Sequence, residues 1–237
     1  MNPFFKFLNP LISLFIPPSC IFCGEELPSD RRGICAPCYD KLPVLSENFL
    51  QVLNDEITPC HYDTLFVAFE FNKEIQTMVH LLKYKRYLTF AEYFAHSISR
   101  EITKPIYDLV TAVPLNPIRY RERGYNQSAL IAKSIANILS VPFENDILER
   151  VRPTISQTNL NREARKLNVK NAFHLLKKPQ GKRVLLVDDV ITTGSTLNEC
   201  AKVIRKGDAL LVDIAAVATP ANILQHKLEE ESDFLIL

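Results

Sequence analysis

The chain has 237 residues, 47% of them hydrophobic and 23% charged, with a formal net charge of +1. That length accommodates one large domain or two smaller ones, and the composition is that of a soluble globular protein. A near-neutral total excludes a wholesale polyanion binder, so any nucleic-acid site has to be a local patch.

The first apolar stretch, from Phe4 to Ile16, is broken by Lys6, Asn9 and Pro10 and runs into Pro17-Pro18. It lacks a basic n-region and a small-residue cleavage site, so it does not read as a signal peptide. It is also too short to span a bilayer. We expect an apolar helix docked on the protein or a partner, with attachment to a membrane surface as the lesser alternative.

Cys20 and Cys23, then Cys35 and Cys38, form two CxxC pairs, with Gly24 permitting a tight turn after the first. Four thiolates at this spacing suit tetrahedral zinc and leave no open coordination position, which predicts a structural metal in a zinc-ribbon-like module. A thioredoxin-like redox pair is the competing reading, but it occurs once, beside a βαβ pattern, and here the pair is repeated. Cys60 and Cys200 stand alone, so there is no disulfide framework and the chain fits a reducing compartment. Cys60 and His61 lack a partner pair and read as linker residues. Between Leu42 and Asn72 there is no Lys or Arg, and Pro43 and Pro59 punctuate the stretch. The expected division is residues 1–50 for the apolar helix and cysteine module and residues 60–237 for the main domain.

Thr64–Phe71 alternates and is aromatic-rich, as a strand is. Glu74–Lys85 has helical spacing and ends in Lys83-Tyr84-Lys85-Arg86, whose cations complement a helix C-terminus and also suit a diphosphate. A second helix is expected over about Thr89–Ile102. His80 and His96 have no ligating neighbour at a persuasive spacing and read as structural. Asp108–Pro114 is a buried strand. Arg119 to Gln127 then reads as a cationic loop, with Arg119, Arg121, Arg123, Tyr120 and Tyr125, leading to the helix Ser128–Leu139. A solvated basic loop is the default for such a run; its place after a strand end favours anion binding. The polar stretch Arg150–Lys166 reads as a mobile loop, with disorder or simple exposure competing.

Val184–Val187 is a short continuous apolar run, the pattern of a strand covered on both faces. Asp188 and Asp189 follow where that strand is expected to end, a costly place for charge unless it meets a ligand, a metal or water. Thr192, Thr193, Gly194, Ser195 and Thr196 then bring hydroxyls and backbone amides to the start of the helix Leu197–Lys206. The bland alternative is a strand with solvated Asp residues and a Ser or Thr N-cap. GxxxxGK[ST] is absent, so this is no P-loop. A further buried strand, Ala209–Ala218, completes an alternation of strands and helices that predicts a mostly parallel sheet.

The stretch Val184–Thr196 resembles the phosphoribosyl-pyrophosphate (PRPP) motif of type I phosphoribosyltransferases. The full ordered set extends the resemblance to the ComF family of phosphoribosyltransferase-like proteins. That set comprises the four-Cys module, Val113 to Gln127 with its RGYNQ, Arg152 to Asn168, and VLLVDDVITTGST. The family pattern places glycine at position 86, where this chain has Arg86. The resemblance implies an α/β type I phosphoribosyltransferase fold binding Mg²⁺–PRPP. It implies that Asp188 and Asp189 hold the ribose hydroxyls, with Asp189 nearer C1. The 5′-phosphate would lie on Val187 and Thr192 to Thr196. Arg119, Arg121, Arg123, Tyr125 and Lys83 would serve pyrophosphate or DNA phosphates. It implies a cytoplasmic role in natural transformation on incoming single-stranded DNA, with a competence helicase or DNA-processing protein as a partner of the zinc module. Two other readings stand beside it: a non-catalytic PRPP-fold module binding DNA and proteins, and a nucleobase or amine phosphoribosyltransferase of nucleotide metabolism.

Overall fold

The computed structural model describes residues 18–28, 32–45, 60–102, 106–152 and 169–220. The apolar N-terminal segment, residues 46–59, most of the polar stretch after Arg150 and the C-terminal tail lie outside them. No helix among the described residues is long and apolar enough to cross a membrane.

Four parallel strands form the central sheet: β1 (Leu65–Glu70), β2 (Leu109–Ala112), β5 (Arg183–Val190) and β6 (Leu211–Thr219), in the order β1-β6-β5-β2. A separate antiparallel pair, β3 (Leu148–Arg150) and β4 (Phe173–Leu175), sits beside it. The continuous apolar run of β5 resolves into two faces, because successive strand side chains point oppositely. Leu185 and Val187 enter one core with Ile75, Met78, Phe90, Phe94, Ile98, Ile131 and Ile135. Val184 and Leu186 enter the other with Phe173, Cys200 and Ile204. The first core belongs to α2 (Lys73–Tyr84), α3 (Thr89–Glu101) and α5 (Gln127–Leu139), and the second to α6 (Ser195–Arg205) and the antiparallel pair. Both faces are covered, as a parallel sheet requires.

The stretch expected to be a cationic loop is in fact the helix α4 (Pro117–Arg123). Its ends explain the difference. Asn116 accepts from the Ile118 amide as N-cap, Pro117 occupies the first turn, and Gly124 closes the helix at φ +79. Strand β5 also runs past the two acids to Val190, and the Ile191 amide still donates to Ala218 O at 2.9 Å. The acids therefore belong to the end of the strand, held by its ladder.

The cysteine segment folds against α3. Its short helix α1 (Ala36–Tyr39) starts at Cys35, and Leu27, Ile34 and Leu42 join the core that contains Phe90. The Tyr93 hydroxyl donates to Ile34 O at 3.0 Å and the Thr89 hydroxyl to Arg32 O at 2.9 Å. Residues 43–45 pair along the edge of β1, through Glu70 N to Pro43 O at 2.9 Å and Leu45 N to Ala68 O at 3.1 Å. At Gly33, which has φ +132, a Cβ would meet Phe90 Cε1 at 2.9 Å and Tyr93 Cε2 at 3.3 Å. Phe90 is fully buried and has no room to yield. Gly33→Ala is therefore expected to cost about 1–3 kcal/mol by overpacking. Denaturant unfolding measures it, and a wild-type midpoint would show that the segment does not dock this way.

Candidate functional site

One cleft opens at the carboxyl end of the parallel strands, where open α/β sheets bind ligands. It is lined by Lys83 from α2, Val113 to Asn116, Arg119 from α4, Asn126 to Ser128, Arg150 from β3, and the continuous stretch Asp188 to Leu197. The structure thus gathers Lys83, Arg119, Asp188, Asp189 and Thr192 to Thr196 in one place. Val187 is fully buried in the sheet and does not line it. Arg121 and Tyr125 are also outside the lining, and Arg123 points inward, 8% exposed.

Asp188 and Asp189 form the floor. Asp188 Oδ1 accepts from Ser128 Oγ at 2.8 Å and from the Asp189 amide at 2.9 Å. Asp189 Oδ2 accepts from Gln127 Nε2 at 3.0 Å and pairs with the Lys83 ammonium, while Oδ1 accepts from Val190 N at 2.7 Å. Burial pushes the Asp188 carboxyl up, and the neighbouring Asp189 charge adds to it, to about 7. For Asp189 burial acts in the same upward direction but is outweighed by Lys83, Gln127 and the Val190 amide, so it lies below the usual carboxylate range. The two acids are driven apart: one stays ionised, and its neighbour takes up a proton near neutrality.

That difference sets an expected pH dependence. A carboxyl whose folded pKa is raised binds its proton more tightly folded than unfolded. Its stabilising contribution is complete below the unfolded pKa of about 4 and is lost as pH rises towards the folded value of about 7. Asp188→Asn imitates the protonated form at every pH. We expect it to gain stability relative to the wild type as pH rises from 5 to 7, with the gain levelling off above. Melting curves of both proteins across this range test it; a pH-independent difference would contradict the assignment.

Beyond the acids, Gly194 adopts φ +66 ahead of α6, and no side chain caps that helix. Its first residues, Ser195 to Leu197, line the cleft, and a helix N-terminus favours an anion. Thr193 Oγ1 and Ser195 Oγ lie 2.9 Å apart at the same turn. A floor of carboxylates, a hydroxyl-rich turn at a helix start and the cations Lys83, Arg119 and Arg150 can hold a sugar diol, a phosphate and a second anionic group together.

The cleft also takes in Gln127, Ser128, Asn116, Asn126 and Arg150, which the sequence does not mark as site residues. Gln127 ends the RGYNQ motif, which was the available signal; Arg150 reaches the cleft only through the placement of β3. The end of α2 is tied to the same motif. Tyr125 donates its hydroxyl to Leu82 O, and the Arg86 guanidinium lies 5.7 Å from the Tyr125 ring centre. Arg86 itself has φ +58, the backbone a glycine takes without strain. His61, expected in a linker, donates its amide to Asn198 Oδ1 at 2.8 Å.

The four cysteines converge: one sulfur from each of Cys20, Cys23, Cys35 and Cys38 lies within 4.8 Å of every other. Cys23 Sγ and Cys35 Sγ are 3.6 Å apart. Sulfurs bound about 2.3 Å from a tetrahedral ion are separated by about 3.8 Å, so the donor set is compatible with zinc. Burial raises the Cys20 thiol, but the amides of Cys23, Cys35 and Phe22 offset this and bring it down to about 6, whereas hydrogen bonding with Cys35 and burial push Cys38 to about 12. Amides aimed at one sulfur and a crowded fourth thiol suit a divalent cation that neutralises them together. Gly24, at φ +77, closes the first turn with its amide on Cys20 O at 2.9 Å.

A type I phosphoribosyltransferase fold with an N-terminal four-cysteine cluster is the class that this architecture defines. A family model described as a phosphoribosyl transferase domain matches residues 126–234. The chain is 33% identical over 200 residues to Competence protein F of Haemophilus influenzae, covering 80% of this chain and 79% of that protein. It is 29% identical over 220 residues to DNA utilization protein YhgH of Salmonella typhi, covering 85% and 96%. Among solved structures, a purine phosphoribosyltransferase from Pyrococcus horikoshii matches 53% of this chain and 79% of its own, at 16% identity and TM-score 0.34. The chain belongs to the ComF family of competence proteins.

Proposed function

We propose that this protein binds Mg²⁺–PRPP in the cleft and serves DNA uptake in the cytoplasm, handling incoming single-stranded DNA. The observation that carries the PRPP reading is the continuity of Asp188-Asp189 with the turn Thr192–Thr196 in one cleft that Lys83, Arg119 and Arg150 also line. The acids take the ribose hydroxyls, the turn takes the 5′-phosphate, and the cations face the diphosphate. In a transfer reaction the bond from C1 to the diphosphate oxygen breaks and its electron pair leaves with the diphosphate, while the acceptor forms a new bond to C1. Positive charge grows on the sugar near Asp189 and negative charge on the departing group near Lys83 and Arg119. Mg²⁺ bound with the substrate would supply further neutralisation of that negative charge.

The DNA part of the proposal rests on the ComF relatives and on one surface. Arg119 and Arg121 share α4 with Ile118 and Tyr120, which are 51% and 52% exposed. Cations flanking an exposed ring and an exposed aliphatic side chain suit a backbone-tracking, base-stacking contact. The zinc module offers a second surface for a DNA-processing protein.

Two measurements test the reading. Calorimetric titration with Mg²⁺–PRPP is expected to give saturable binding, and pyrophosphate release is followed across nucleobase, amine and DNA acceptors. Binding without release for any acceptor would favour the non-catalytic module, and absence of PRPP binding would overturn the proposal. Single-stranded DNA affinity is expected to fall with salt, as phosphate contacts require. A flat salt titration would remove the α4 surface from consideration.

A further inference from the structure

Arg123 falls within the RGYNQ region yet turns away from the cleft, and its contacts give it a different task. Its guanidinium carbon lies 4.7 Å from the Tyr84 ring centre, and its Nη2 donates to the Tyr84 hydroxyl at 3.0 Å. Nη1 donates to Gln127 Oε1 at 2.8 Å, and Gln127 Nε2 donates to Asp189 Oδ2 at 3.0 Å. Arg123, Gln127 and Asp189 are 8%, 5% and 7% exposed, so water does not substitute for these bonds.

The chemistry of the chain of contacts has one direction. A guanidinium only donates, so it requires the oxygen of the Gln127 amide; the NH₂ is then forced towards Asp189, where an ionised carboxylate is the matching acceptor. Lys83 also pairs with Asp189, but its side chain is 20% exposed at the end of α2, and the anionic groups of a ligand compete for it. Gln127 is the side-chain donor that stays beside the Val190 amide when Lys83 leaves. We propose that Arg123 is a positioning residue that, by locking the Gln127 amide, keeps Asp189 as the charged acceptor for the ligand's vicinal hydroxyls. This deepens the PRPP reading and rests on it for the identity of the diol.

The groups facing the acids come from every neighbouring element. Asp189 is faced by Lys83 of α2, Gln127 of α5, and Asp188 and the Val190 amide of its own strand; Asp188 is faced by Asp189, Ser128 of α5, Arg150 of β3, Cys200 of α6 and, more weakly, the Lys83 charge. Of these, only the Gln127 contact passes through Arg123.

The test reads the carboxyl ¹³C titration of aspartate-labelled, ligand-free protein. In the wild type one cleft acid stays ionised while its neighbour titrates near neutrality. In Arg123→Met the Gln127 amide is released, the two titrations are expected to approach one another, and Arg123→Lys is expected to restore part of the separation. Gln127→Leu, an apolar replacement of similar size, is expected to reproduce Arg123→Met if that variant folds poorly. Folded variants that melt lower but titrate as the wild type would overturn the proposal, leaving Arg123 a purely structural role.

The ligand arm uses Mg²⁺–PRPP. Arg123→Met is expected to weaken binding about twofold or more at pH 6 and less at pH 8.5, where both acids are ionised regardless. An equal loss at both pH values would also overturn it. If the wild type fails to bind Mg²⁺–PRPP, the functional reading fails, while the ligand-free titration still decides the role of Arg123.

Discussion

Asp189→Asn is expected to lower the affinity for Mg²⁺–PRPP by about 10- to 100-fold, because hydrogen bonds to charged groups contribute about 1.5–3 kcal/mol each. The asparagine keeps the shape of the floor but removes the anion that accepts from both Gln127 and Lys83. It also leaves the half-buried Lys83 without its partner, so some loss of stability accompanies the loss of binding. Asp188→Asn is expected to differ in its pH dependence. With the Asp188 carboxyl raised to about 7, the wild type at pH 6 carries a proton there for most of the time, so the substitution changes little. At pH 8 the wild type presents two anions, and the variant loses one of them. Titration calorimetry at the two pH values separates these effects. If the double variant binds like the wild type, the acids do not hold the ligand and the PRPP assignment falls.

Removal of the metal is expected to have the largest effect on the fold. Structural zinc contributes about 10–16 kcal/mol of apparent binding free energy in small zinc-folded peptides, comparable with or greater than the whole stability of an ordinary domain. Residues 18–45 contribute Leu27, Ile34 and Leu42 to the core shared with α3. Without the ion, those side chains lose the turns that present them, and four crowded thiols are left behind. Purified protein is expected to contain one zinc per chain. Cys38→Ser, or chelation, is expected to raise hydrogen exchange throughout residues 18–45 and to expose the α3 face around Phe90 and Tyr93. Metal-free protein with wild-type protection in this segment would show that the cluster is not a metal site.

The two effects act on different parts of the molecule. The acids lie at the carboxyl end of β5, while the cysteines fix a segment on α3, so a cysteine variant that loses PRPP binding only in proportion to unfolding is the expected pattern. Arg86 marks another point where local structure is set against the fold. Its left-handed backbone costs an ordinary side chain about 1–2 kcal/mol, yet it delivers the guanidinium to Tyr125 beside the end of α2. A glycine there relieves the strain and gives up the contact.

By itself, the amino-acid sequence determined the elements and the chemistry that depend on neighbours along the chain. The apolar run Val184–Val187 reads as a strand because covering both sheet faces demands it. The two CxxC pairs read as one metal cluster because their side chains need only two local turns to converge. The helices around Ile75–Leu82 and Ile131–Leu139 read from their 3.6-residue period. Even α4, whose arginines read as a loop, has its caps written in Asn116, Pro117 and Gly124. Only the tertiary structure decided which of those arginines meets the cleft. Arg119 lines it, whereas Arg123, four residues and about one helical turn on, packs on Tyr84 and holds Gln127. It also decided the unequal protonation of Asp188 and Asp189. Adjacent in sequence and chemically identical, they differ because Lys83 and Gln127, from two helices distant in the chain, make their direct contacts to Asp189.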